Sequence, residues 1–194
     1  SRARTILAFP AIDPDGKPDC VSAFPVGTRV YVACGVLDAT FTPRGPTQIV
    51  VVDTTRDAVE SSFALTAANP IGQIIASAPS TALGGDLLIA TAPSFTDPAT
   101  GCLARIKTTG TPAANGCAVR NVDLGAYVNH AAMSADGHTL WLAAALYAAD
   151  FTSQAGALRG YDVDRGVLAT AISPAAQLVP DVATCPDGRA AEID

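Results

Sequence analysis

The stretch Asn129–Ala144, NHAAMSADGHTLWLAA, decides how the whole chain reads. A histidine opens a short run of small apolar residues, Asp136-Gly137 interrupts it, and a second apolar run follows. Glycine takes positive φ without steric cost, so Asp-Gly between two such runs marks a tight turn. His130–Ser134 then reads as one strand, and Thr139–Ala143 as the strand that folds back on it.

The rest of the chain is built from similar pieces. Short runs rich in Val, Ile, Leu and Tyr recur at Arg29–Ala33, Gln48–Val52, Asp86–Ala90 and Ala157–Tyr161, separated by clusters of Gly, Pro, Asp, Thr and Asn. No capped apolar pattern at i, i+3, i+4, i+7 extends over about 12 residues, so many short strands are expected and long helices are not. The runs also repeat. Ala33, Ala90 and Ala143 lie 57 and 53 residues apart, and the starts of a second set of runs, Val50, Leu103 and Leu158, lie 53 and 55 apart. A period of roughly 50 residues carrying four strands falls in the range of propeller blades. The expected fold is all-β: a partial β-propeller of about three and a half to four blades, each of four antiparallel strands. It forms one domain over residues 1–194, with repeats at approximately 18–68, 69–125 and 126–177 and an incomplete one at 178–194.

The repeats align further. His130 precedes Ala143 by 13 residues, as Cys20 precedes Ala33, and Asp181 precedes Gly188 by seven, as His130 precedes Gly137. Cys20, His130 and Asp181 are thus expected at equivalent positions, while an insertion at Ser77–Gly85 breaks the second repeat. The five cysteines are Cys20, Cys34, Cys102, Cys117 and Cys185, with no C-x-x-C spacing. That spacing pattern excludes a zinc ribbon, a thioredoxin-type site and c-type haem. Cys20 and Cys34 lie symmetrically about Gly27, the expected turn of the first hairpin. Cys102 and Cys117 flank two runs joined by the turn at residues 108–116, which places them opposite each other across the third and fourth strands of one blade. Facing Cβ atoms in a hairpin are about 4.5–5.5 Å apart, within reach of disulfide geometry. Two disulfides are expected, and with them an oxidising compartment. Reduced core cysteines are the alternative. Cys185 is left over, as a buried thiol or as the partner of a cysteine beyond this sequence.

Composition bounds the function. The chain has 194 residues, 49% hydrophobic and 15% charged, with a net charge of −6. Disorder is excluded by that balance. An acidic chain without a basic stripe is a poor partner for nucleic acid or an anionic membrane. No window approaches the roughly 20 apolar residues that span a bilayer, so no transmembrane segment is expected. The sequence starts at Ser1 without a signal peptide and stops after an alternating apolar run, and reads as cut from something larger.

The runs NHAAMSADGHTLWLAA, VPDVATCPDGRAAEID and IVVVDTTRDAVESSFAL resemble the YVTN/YncE-like β-propeller repeat, whose units run P-H-G-x-A-x-S-P-D-G-x-x-x-Y-V-A-N, then a strand ending I-D-T, then a last strand. The resemblance covers nearly the whole chain. The second repeat departs from it, with PIGQIIASAPSTALGG in place of P-H-G…S-P-D-G, and the loops GVLDATFTPRGPT and ALYAADFTSQAG are longer than in compact members. The Ala-rich, Pro-rich, disulfide-bearing style looks like a bacterial cell-surface or lipoprotein-type propeller, secreted or periplasmic. Such propellers commonly have about seven blades. The resemblance therefore implies that the missing remainder of the propeller is a partner of this chain, since an open array leaves apolar faces bare. A four-bladed ring completed by Ser1–Phe9 is the alternative.

The resemblance also places His130 near a central channel, where with Asp181 it is a candidate ligand-binding residue. The plainer role is that His130 caps its strand and bonds the neighbouring blade. His138 reads as a solvated turn residue. Each long loop carries a Phe-Thr pair, at Phe41, Phe95 and Phe151, and recurring aromatics on one rim are candidates for a binding surface. The plainer role is that each Phe plugs its loop onto its own blade. Asp38, Asp97 and Asp150 accompany these loops, and Asp13, Asp15 and Asp19 form the densest acidic group, but no D-x-D-x-D-G calcium series exists. No metal site and no cofactor are expected, and no G-x-S-x-G, P-loop or dinucleotide fingerprint is present. Two functions follow. The favoured one is a non-catalytic scaffold or recognition module for a protein, glycan or surface ligand. The other is a propeller enzyme of lyase, lactonase or quinone-linked dehydrogenase type, with His130 and Asp181 at the channel mouth.

Overall fold

A strand covered on both faces reads as an unbroken apolar run rather than an alternating one. Leu87–Thr91 is buried at every residue, and so are the four central residues of Gln48–Asp53. Such strands must lie in the middle of sheets that are themselves stacked. A computed structural model of the chain describes residues 9, 12–13, 15–169, 173–175, 181–184 and 190–193.

The described residues form antiparallel sheets in chain order. The first contains β1 (Asp19–Val26), β2 (Arg29–Gly35), β3 (Gln48–Asp53) and β4 (Ala58–Ala64). The second contains β5 (Pro70–Ala76), β6 (Leu87–Thr91), β7 (Cys102–Lys107) and β8 (Ala113–Arg120). A single helical turn, α1 (Asn121–Leu124), leads into the third, made of β9 (Tyr127–Met133), β10 (Thr139–Tyr147), β11 (Gln154–Asp162) and β12 (Val167–Leu168). A further strand, β13 (Ser173–Ala175), also pairs with β11. The pair β14 (Asp181–Thr184) and β15 (Ala190–Ile193) follows. Among the described residues no helix is long and apolar enough to cross a membrane.

Each sheet lays one apolar face on the next. Ala33, Ile49 and Val51 of the first sheet pack on Leu87 and Ile89 of the second. Ala90 and Leu103 of the second pack on Val128, Leu140 and Leu142 of the third. Ala143 and Leu158 of the third pack on Val182 of β14. Ala33, Ala90 and Ala143 thus hold the same place in three successive sheets. The opposite face of the first sheet, at Cys34, Val50 and Val52, is covered by Phe9 and Ile12.

The first strands of successive sheets touch, β1 on β5, β5 on β9 and β9 on β14. The backbone N–H of Ile74 donates to Ser22 Oγ across 2.9 Å, and Thr184 Oγ1 donates to the Met133 carbonyl across 3.0 Å. Gly72 has φ +68°, and a Cβ there would lie 2.9 Å from the Asn129 carbonyl oxygen, so the approach of β5 to β9 requires glycine. Three four-stranded sheets with their first strands in contact are consistent with a partial propeller. The described residues do not close a ring.

The hairpins depart from the sequence expectation in three places. In the first, Val26 faces Arg29, so Gly27 and Thr28 make the turn together rather than Gly27 alone. A bulge between Cys20 and Ser22 then shifts the register by one and brings Cys20 opposite Cys34, where their sulfurs bond at 1.99 Å. The same bulge breaks the expected equivalence with His130, because His130 faces Ala143 whereas Ala33 faces Ser22. In the second sheet Cys102 faces Arg120 and Cys117 faces Ala104, not each other. Register shifts along β7–β8 make the disulfide diagonal, with Cα atoms 5.9 Å apart and an S–S bond of 2.07 Å. Cys185 and the side chain of Asp181 lie outside the described residues.

The Asp136-Gly137 turn joins β9 to β10. Ser134 Oγ donates to Asp136 Oδ1 at 2.6 Å and accepts from the Thr139 N–H at 2.9 Å, while Asp136 Oδ1 accepts the His138 N–H at 3.0 Å. Gly137 has φ +79°, and a Cβ on it would sit 2.5 Å from the Cβ of Ala78 in the insertion of the preceding sheet. The glycine is therefore needed for its dihedral and for a contact between sheets. Gly137→Ala is expected to destabilise the fold by about 1–3 kcal/mol in urea unfolding, and Ala78→Gly in the same chain to recover part of that loss. Full stability in the single variant would show that the contact carries no cost. Thiol labelling followed by intact mass is expected to find Cys20, Cys34, Cys102 and Cys117 blocked until reduction. Reduction is expected to cost about 2–4 kcal/mol per bridge.

Candidate functional site

In an up-and-down sheet, alternate connections emerge at opposite ends. The β2–β3, β6–β7 and β10–β11 loops therefore share one rim with the links between sheets, and the first and third turns of each sheet lie on the other. Phe41, Phe95 and Phe151 all belong to the first rim, but the structure treats them differently.

Phe41 and Phe151 are displayed. Both have left-handed φ, +60° and +58°, and both rings are exposed, 79% and 60%. A non-glycine residue in that region costs roughly 1–3 kcal/mol and persists only when its surroundings impose it. Here the constraint is an acidic turn. The Phe41 N–H donates to the Asp38 carbonyl at 2.8 Å and the Phe151 N–H to that of Ala148 at 2.9 Å. Asp38 Oδ1 accepts from the Thr40 N–H and hydroxyl at 2.9 and 2.6 Å and from the Thr42 N–H at 3.0 Å, and its carboxylate pairs with Arg44. Asp150 Oδ1 accepts from the Thr152 hydroxyl and N–H at 2.7 and 3.1 Å. The Thr40 hydroxyl, then the Thr42 N–H, holds the Asp38 carboxyl well below the usual range, and the Thr152 hydroxyl lowers that of Asp150. These carboxylates organise their loops. Asp97 likewise accepts from the Ala99 N–H at 2.9 Å, and Asp13 and Asp15 accept from nearby backbone N–H groups at 3.1 and 2.8 Å.

Phe95 turns inward, onto the neighbouring sheet rather than its own. Its carbonyl accepts the Tyr147 N–H at 2.9 Å. Its ring meets Tyr127 edge-on, with centroids 5.1 Å apart and planes at 70°, and Tyr147 at 6.4 Å and 78°. Tyr127 and Tyr147 are nearly parallel, 6.4 Å apart, and Phe151 leans on Tyr147 at 5.6 Å and 40°. With Ile71 and Asn129 these four rings line an open cleft of about 460 Å³ between the second and third sheets. Tyr127 is almost fully buried; burial first, then the adjacent Tyr147, pushes its phenol upward. Of the rim phenylalanines singled out in the sequence, Phe95 and Phe151 line this cleft and Phe41 does not. Tyr127 and Tyr147 are not among the residues the sequence singles out, although Tyr127 opens β9 and Tyr147 closes β10, both on the loop-bearing rim.

His130 lies elsewhere. It is half-buried on β9, its ring turned toward Gly72 of β5. Asp181 begins β14 as the sequence places it in the chain, but its side chain is not described. His130 is not among the residues lining the aromatic cleft. Among the described residues no three His, Cys, Asp or Glu side chains converge on a point that would hold a metal ion. His138 sits on the opposite rim, its Nδ1 2.6 Å from Asp164 Oδ2, and this partner raises its pKa. A second cleft of about 490 Å³ runs beside the Cys102–Cys117 bridge, lined by Thr66, Pro93 and Val122 among others. No protein-family model matches the sequence, and no curated protein matches it.

The two rims should respond oppositely to pH. The Asp150 carboxyl is depressed by folding, so its contribution is complete above the unfolded value and is lost as pH falls through the lower folded value. His138 is raised, so its contribution is complete below the unfolded value and fades as pH rises through the folded one. Amide shifts of Phe151 are expected to stay constant from pH 7 to below the ordinary carboxylate range of about 4, and those of His138 to move above about 6.5. Asp150→Ala is expected to release Phe151 from its left-handed dihedral, seen as altered couplings at that residue alone.

Proposed function

We propose that this chain is part of a YVTN/YncE-like β-propeller that resides in an oxidising compartment, secreted, periplasmic or at a cell surface, and acts as a non-catalytic recognition module. Its binding surface is the rim that carries the aromatic cleft. The stacked order of three four-stranded sheets supports the propeller reading, and the two disulfides support the compartment.

The observation that carries the binding reading is the display of Phe151 beside that cleft. An exposed ring at left-handed φ contributes little to folding and costs backbone energy, and outliers of this kind cluster at ligand clamps. Phe41 repeats the arrangement two sheets away, on the same rim. Open clefts walled by aromatics with a few polar groups are a common form of ligand site. The ligand is a protein side chain, a glycan or another surface component that presents apolar area to the cleft.

Amide shifts recorded against a panel of neutral glycosides, peptides and alkylammonium salts test this. At least one class is expected to move the resonances of Tyr127, Asn129, Tyr147 and Phe151. Phe151→Ala is expected to weaken that binding about tenfold while leaving the unfolding midpoint unchanged, because its ring is exposed. Binding that ignores Phe151→Ala and Tyr147→Ala, or no binding in any class, would overturn the reading.

A further inference from the structure

We propose that the aromatic cleft binds an alkylated ammonium cation, a trimethylammonium group being the best-fitting form. This deepens the rim-binding reading and rests on it. Four aromatic rings line the cleft, the two tyrosines nearly parallel and the phenylalanines inclined to them. Phe95 stands at 70° and 78° to the two tyrosines, and Phe151 leans in at 40° from Tyr147. Ring faces carry the negative lobe of the aromatic quadrupole, and a cation within about 6 Å of several of them is attracted to each. A methylated ammonium also sheds its weak hydration readily and fills apolar space. A flat sugar needs one broad platform and a set of hydrogen-bonding side chains around it. Here the lining is Ile71, Phe95, Tyr127, Asn129, Tyr147 and Phe151, with a single amide among them.

Charge points the same way. No Lys, Arg or His lines the cleft, so no resident cation competes for the rings. The two loops that supply Phe95 and Phe151 carry the acidic residues Asp97 and Asp150, and the whole chain has 18 acidic against 12 basic side chains. An anionic ligand finds no partner in such a cleft, and a neutral one gains nothing from that field. Trimethylammonium groups come from soluble choline-like molecules, from methylated lysine in a protein, or from choline headgroups at a lipid surface. The chemistry recognised is the same in each.

Calorimetry and amide shifts with choline, and with its neutral carbon isostere 3,3-dimethyl-1-butanol, test the charge directly. Choline is expected to bind at least about tenfold more tightly than the isostere. Phe151→Ala is expected to weaken choline binding about tenfold, and Phe151→Trp to preserve it, which separates ring loss from loop damage. A trimethyl-lysine peptide and phosphatidylcholine vesicles distinguish the sources. Binding to the peptide without vesicle co-sedimentation assigns a protein partner, and co-sedimentation lost in Phe41→Ala and Phe151→Ala assigns a lipid surface. Equal affinity for choline and the isostere would overturn the proposal, leaving an apolar cleft. So would a neutral glycoside that moves the cleft resonances when choline does not, in which case the rim-binding reading survives. If no probe moves those resonances, both fail.

Discussion

Sheets in this protein cannot stand alone, because their middle strands are apolar on both faces. Ile49 and Val51 point one way from β3, Val50 and Val52 the other, and all four are buried. The same holds for Leu87, Leu88 and Ile89 in β6 and for the centre of β10. At roughly 25 cal/mol per Å² of apolar surface, one bare face would cost a large part of the stability of a domain this size. Stacking successive sheets is the solution that uses each face once. It fixes the order of the units and brings first strand onto first strand in close contact. Gly72 against the Asn129 carbonyl, Ile74 on Ser22 and Thr184 on Met133 all lie on that line.

The same stacking creates the aromatic cleft. Phe95 is supplied by the second sheet, and Tyr127, Tyr147 and Phe151 by the third. No single unit contains the site. Its geometry therefore depends on how β5 approaches β9, and on the bond from the Tyr147 N–H to the Phe95 carbonyl that ties the two edges together. The loops of Phe41 and Phe151 are organised from within by Asp-Thr turns, which place those two rings by φ rather than by packing. The opposite rim spends its charges on turns and ion pairs, such as Arg29 with Glu60 at 2.8 and 2.5 Å.

The disulfides act on the hairpins rather than on the stack. Each closes within one sheet, Cys20 to Cys34 across β1–β2 and Cys102 to Cys117 across β7–β8. They restrain the unfolded chain over short loops and leave the approach of sheet to sheet to apolar packing. Both are made possible by bulges that move a cysteine by one residue along its ladder.

The sequence by itself determined the local order: strand runs, the Asp136-Gly137 turn, the spacing that sets Ala33, Ala90 and Ala143 in equivalent strands, and which cysteines lie near enough to pair. Those features are short-range, written in alternation, turn residues and period, and so they are legible without coordinates. Only the tertiary structure decided the registers and the site. A bulge adds one residue to one strand, and no spacing rule announces it, so Cys20 and His130 looked equivalent and Cys102 looked opposite Cys117. Three rim phenylalanines with the same Phe-Thr signature looked alike, yet one turns inward and two stand out, because that choice is made by the tyrosines of the adjacent sheet. Residues that meet across a sheet-to-sheet contact carry no common signature in the chain, since they belong to units roughly 50 residues apart and are joined only when those units stack.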